Sequence, residues 1–207
     1  MLSRNILGGC TVALIGALGL AGTASAAPSL QFVGGNTRVI LSDDLLGALT
    51  SLNVTPAAVR PGRLEAVGNG SGARVVYPIP TGELDAAGPK LEVLHSGGLT
   101  LSAGSVRVAL TSFIIENLEG GPRLTGIVKV NDSILGRVPL FNLALTQAPA
   151  LTPNGAITRI ELDAVDVTLS AEAAEALNAA FGLSGVFTEG FPIGTARVLA
   201  RLRDRDG

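Results

Sequence analysis

The chain is short of nearly every residue type that carries chemistry. Its 207 residues hold one cysteine, one histidine, one tyrosine, one methionine and no tryptophan, and aromatics make up 3%. With a single histidine and a single cysteine, ordinary zinc arrangements are excluded. A serine or cysteine nucleophile needs a base beside it, and His95 is the one imidazole on offer. No Gly-x-Ser-x-Gly elbow is present: Gly68-Asn69-Gly70-Ser71-Gly72 has the wrong order. The same glycines lack the lysine of a phosphate loop. Asp163 with Asp166, and Asp43 with Asp44, lack the spacing and companion oxygens of a calcium loop, so they read as solvated or helix-end acids. A formal charge of −2 and so few rings leave neither a basic footprint nor a stacking platform for nucleic acid.

What is there begins with an export signal over residues 1–26. Arg4 supplies a positive start, Cys10 to Gly22 is an uncharged apolar run, and Ala24-Ser25-Ala26 gives the small-x-small cleavage pattern. That run falls short of the ~20 residues needed to cross a bilayer, and no second long apolar run follows, so no transmembrane anchor is expected after cleavage. Removing the signal leaves 181 of the 207 residues and, since Arg4 is its only charge, takes the net charge from −2 to −3. Cys10 leaves with it, so the remainder has no disulfide and must be held by its core. Residues 27–200 are expected to form one domain, exported to the periplasm or beyond. Arg201 to Gly207 (RLRDRDG) reads as a polar, solvated tail.

Alternating apolar residues recur between glycine- and proline-rich breaks. Strands are expected at Thr37–Leu41, Ala73–Ile79, Leu91–His95, Leu99–Ala103, Ser105–Glu116, Leu124–Val130, Ile134–Leu145, Ala156–Leu162, Val165–Leu169 and Thr195–Leu202. Turns every ~8–12 residues favour an antiparallel sandwich or barrel-like sheet. Two segments depart from this rhythm. Ser42-Asp43-Asp44 and Ser170-Ala171-Glu172 each open a short helix, with serine as N-cap and acids in the first turn. Residues 39–49 and 167–177 align without gaps and share five of eleven positions. Both helices are expected to cover ends or edges of the sheet. The result is a mainly β fold with two capping helices.

His95 lies at a strand end, directly before Ser96-Gly97-Gly98. A ring nitrogen there suits the rim of a pocket as well as a bland strand end. This His95-Ser96-Gly97-Gly98-Leu99 stretch is one of several that resemble the HtaA-like, haem-transport-associated domain of secreted actinobacterial proteins. The others are the first strand–helix, Pro78-Ile79-Pro80-Thr81-Gly82-Glu83-Leu84-Asp85, the strand pair at Val106–Glu116, Leu169 through Gly182, and Pro192-Ile193-Gly194-Thr195-Ala196. The resemblance implies a β-rich binding domain whose ligand is haem, held by a tyrosine near the first helix and supported by a histidine at the place of His95. Asp43 to Val59 contains no tyrosine, and Tyr77 falls in a later strand. Tyr77 and His95 are therefore the candidate ligand-binding residues.

The function expected is a secreted, non-catalytic binding module of the cell envelope or its exterior, with haem as the implied ligand. Two rivals stand beside it: a structural or interaction module with an envelope protein as partner, and a carrier holding an apolar small molecule inside its sheet.

Overall fold

The computed structural model describes residues 29–85, 90–118 and 121–204. The export signal assigned to residues 1–26 lies outside the described residues. Thirteen strands and two helices follow one another in chain order: β1 (Ser29–Leu41), α1 (Asp43–Ser51), β2 (Thr55–Val59), β3 (Arg63–Val67), β4 (Gly72–Ile79), β5 (Gly82–Asp85), β6 (Leu91–Leu94) and β7 (Gly98–Ala103). The second half continues with β8 (Val106–Leu118), β9 (Gly121–Val130), β10 (Ser133–Leu145), β11 (Ala150–Asn154), β12 (Ile157–Leu169), α2 (Ala171–Phe181) and β13 (Pro192–Asp204). The fold is mainly β, as the alternation implies, and every strand pairing is antiparallel.

Eight strands close on themselves in the order β1-β13-β12-β10-β9-β8-β6-β5 and back to β1. The ring forks where β4 passes into β5 and β6 into β7. The first residues of β1 pair with β5 and the later ones with β4. The end of β8 pairs with β6 and its beginning with β7. Beyond the fork β4 and β7 diverge, and β3 and β2 add to their free edges.

Both helices sit at the same end of this barrel. Leu41 at the end of β1 and Val167 near the end of β12 flank Gly194 of β13 from either side, so α1 and α2 start at one level. Their cap serines work alike. Ser42 Oγ accepts from the Leu45 N–H at 3.1 Å and donates to the Pro192 carbonyl at 2.7 Å. Ser170 Oγ accepts from the Ala173 N–H at 3.0 Å and donates to the Pro139 carbonyl at 2.8 Å. An N-cap of this kind contributes about 1 kcal/mol. Leu45 and Leu49 of α1, with Ala173, Ala174 and Leu177 of α2, pack into the larger of two apolar clusters. The smaller cluster, built on Phe32, Ile79, Val93, Ile160 and Leu202, lines the other end and receives no helix.

Two expectations change. The first four residues of the expected tail are strand: Arg201–Asp204 continues β13, and Leu202 is completely buried opposite Phe32 and Thr158, while residues 205–207 lie outside the described residues. The arginines that suggested a tail occupy the outer face of an alternating strand, with Val198, Ala200 and Leu202 pointing inward. Likewise, the separate strands expected at 156–162 and 165–169 are one strand. The register shift between Leu162 and Val165, with Ala164 at φ 54°, is a bulge inside β12 rather than a turn.

Candidate functional site

Tyr77 and His95 both lie on the inner face of the barrel, joined by a residue that sequence reasoning passed over. Thr37 of β1 pairs directly with Tyr77 of β4, and directly opposed residues share a face. Its hydroxyl oxygen lies 2.7 Å from His95 Nε2. The only warning in the sequence is that Thr37 precedes Val39 and Leu41 on the apolar side of an alternating strand.

His95 sits at the fork. Its backbone N–H donates to Phe113 of β8, and the next N–H, from Ser96, donates to Pro78 of β4, at 2.9 Å in each case. The chain reaches this position because Gly97 adopts φ 99° and lies so close to Gly62 that a Cβ would stand 2.4 Å from its nitrogen. His95 Nδ1 is 3.2 Å from the Val93 carbonyl oxygen. Burial holds the imidazole down to about 4, against a smaller opposing pull from that carbonyl, so the ring is neutral at neutral pH. A carbonyl can only accept; Nδ1 therefore carries the proton, Nε2 presents its lone pair, and the Thr37 hydroxyl donates to it.

The Thr37–His95 pair lies between two cavities of the interior. On the helix side, a cavity of about 100 Å³ is lined by residues such as Leu49, Tyr77, Phe113, Leu140 and Leu169. On the other side, a cavity of about 340 Å³ is lined by Phe32, Leu91, Val93, Leu145, Ile160 and Leu162, among others. Thr37 and His95 border both. Tyr77 borders only the first, where its ring meets Phe113 edge-on with centroids 5.2 Å apart. Burial pushes the Tyr77 phenol above its ordinary range.

The wall of the larger chamber is incomplete. β10 pairs with β9 only as far as Asn142 opposite Arg123, and with β12 only from Phe141 opposite Leu169 to Leu145 opposite Val165. Past that point β11 has replaced β10 beside β12, and among the described residues β11 pairs with nothing else. Among the described residues no ladder joins β9 to β11, which leaves a gap in the pairing between them. Leu151 of β11 stands opposite Ile160, an inward residue that is 6% exposed, so it shares the inner face; yet Leu151 is 59% exposed. Leu145, which borders the chamber, is 48% exposed. Large apolar side chains on the inside of a wall meet solvent only where the wall is open.

These residues do not suit haem iron. An axial ligand must offer a lone pair to the metal. His95 Nε2 already accepts from Thr37, Nδ1 carries a proton directed at Val93, and both lie inside the barrel. Tyr77 is 7% exposed, faces the smaller cavity, and is disfavoured as phenolate. Among the described residues, no three His, Cys, Asp or Glu side chains gather where they could hold a metal ion. No described helix is long and apolar enough to cross a membrane.

No family model matches the sequence, and neither does any curated protein. Among solved structures, the haem-binding protein HtaB from Corynebacterium glutamicum is 10% identical, with a TM-score of 0.44 over 86% of this chain and 95% of that one. That superposition is too loose to argue from. The C-terminal domain of HtaA from the same organism is 13% identical, with a TM-score of 0.57 over 84% of this chain and 99% of that domain. The chain has the fold of that HtaA domain.

Proposed function

We propose that the chain is an exported, non-catalytic binding module that takes an apolar small molecule into the open-end chamber of its barrel. The carrying observation is Leu145, an inward-facing residue opposite Val165 that is 48% exposed and borders a cavity of about 340 Å³. Ligand pockets are usually concave, largely apolar, and ~300–1,000 Å³ in volume, with a few convergent polar groups. Thr37 and His95 supply such groups at the inner wall. In this reading His95 borders the ligand, whereas Tyr77 supports the wall from the helix side. Haem, the ligand implied by the resemblance, is served poorly by either residue. A module that works only by holding an envelope protein would have no use for the chamber.

The test is a fluorescence titration with phenylnaphthylamine, a neutral apolar dye. Saturable one-to-one binding is expected, and Leu162→Phe, which fills the chamber from β12, is expected to weaken it at least tenfold. Hemin added to the same protein is expected to give no saturable Soret band that depends on His95. An absence of dye binding, or binding indifferent to Leu162→Phe, would contradict the proposal.

A further inference from the structure

Given the binding site proposed above, on which any selectivity rests, the chamber walls narrow the chemistry of the ligand. They are mainly aliphatic, with Phe32 the only aromatic residue apart from the His95 imidazole among the described residues that line them. They suit a slender chain better than a stacked ring system. At the inner wall the polar groups are fixed in one sense. Nδ1 of His95 donates to the Val93 carbonyl, Nε2 accepts, and the Thr37 proton is thereby spent. A hydroxyl oxygen has two lone pairs besides its one proton, so Thr37 presents acceptor capacity to the chamber and no donor. Nothing at this buried point offers a proton or a positive charge to an anion.

We propose that the Thr37–His95 pair is an acceptor anchor that selects neutral aliphatic molecules carrying a hydroxyl group. The hydroxyl donates to Thr37 Oγ1, and the hydrocarbon runs back along Val93, Leu91 and Ile160 toward the gap between β9 and β11. A carboxylate at the same point would set its lone pairs against those of Thr37 and lose its hydration without replacement. The cation bordering the chamber, Lys90, is ion-paired with Glu83, so the rim adds little net attraction for an anion.

The experiment is displacement of bound phenylnaphthylamine by decane, decyl alcohol and decanoate at pH 7. A neutral hydrogen bond contributes ~0.5–1.5 kcal/mol net, which is about 2- to 12-fold in affinity. Decyl alcohol is therefore expected to bind several-fold more tightly than decane, and decanoate most weakly. Thr37→Val is expected to bring the alcohol down to the level of the alkane while decane affinity holds, and Thr37→Ser to restore the preference. Decanoate binding as tightly as the alcohol, or a Thr37→Val protein that keeps the preference, would overturn the anchor. The ranking in the unmodified protein decides the matter even if a variant folds poorly. Displacement by none of the three would instead sink the chamber itself as a binding site; equal displacement by all three would leave the chamber and remove the anchor.

Discussion

The two ends of the barrel are built from the same strands and finished differently. At the helix end, α1 and α2 close the interior, Tyr77 meets Phe113 edge-on, and Leu140 and Leu169 are 1% exposed around a cavity of about 100 Å³. At the other end no helix arrives, β10 parts from β9, and the cavity is about 340 Å³ with Leu145 open to solvent on its wall. Protein interiors pack like organic crystals, with few voids larger than a water molecule. In a chain with no cysteine beyond Cys10, the helix end is the more tightly packed of the two, and the loosely filled end is the one proposed to take a ligand.

Cutting into each end separates these roles. Leu169→Ala in the closed end is expected to destabilise the protein by ~2–5 kcal/mol, because it deletes a side chain that is 1% exposed and enlarges the cavity that it borders. Urea unfolding reads this directly. An effect below 1 kcal/mol would mean that the helix end is not the packed one.

The partition between the ends gives the next largest effect, as a dependence on pH. The folded state holds the His95 imidazole near 4, below its ordinary 6.5. The unfolded chain therefore binds the proton first as pH falls. The stabilisation from keeping His95 neutral is full above 6.5 and is lost between 6.5 and 4. A displacement of that size corresponds to about 3 kcal/mol across the window. His95→Gln, which keeps a group able to accept from Thr37, is expected to flatten that part of the stability–pH curve. A variant curve parallel to that of the parent would show that His95 does not titrate in this way.

The smallest effect belongs to the open end. Leu91→Ala removes a half-buried side chain beside an existing cavity, and about 1 kcal/mol is expected from the apolar area it withdraws. The same variant is expected to change phenylnaphthylamine binding more than stability. The opposite balance would make the chamber an ordinary piece of core.

Alternation and serine caps are local signals, and they made both helices and most of β8 and β10 legible, but only Thr37–Leu41 of the thirteen-residue β1. β8, β10, α1 and α2 lie close to where periodicity puts them. β2, β3, β5 and β11 are four or five residues long, which leaves a period little room, although β6, just as short, was legible from Leu91-Glu92-Val93-Leu94 ahead of the Ser96-Gly97-Gly98 break. β2 and β11 each carry a proline as well, which suits an edge strand. Leu202 closes the strand expected from Thr195, yet the run from Arg201 also reads as a charged tail, because Arg203 and Asp204 join the strand only once β1 and β12 flank them. His95 and Tyr77 could be picked out by their scarcity. Thr37 could not, since nothing in residues 37 and 95 alone reveals that a fork in the sheet brings them together. The gap between β9 and β11 was out of reach for the same reason: it arises where two ladders stop, and ladder ends are set by partners distant in sequence.

A crystal grown with decyl alcohol tests the two-ended barrel most directly. Density for an extended chain entering between β9 and β11, with its oxygen within hydrogen-bond distance of Thr37 Oγ1, is the result expected. Alcohol lodged on the helix side among Leu49, Phe113 and Leu169, or confined to the outer surface while the larger chamber holds only water, would contradict the account.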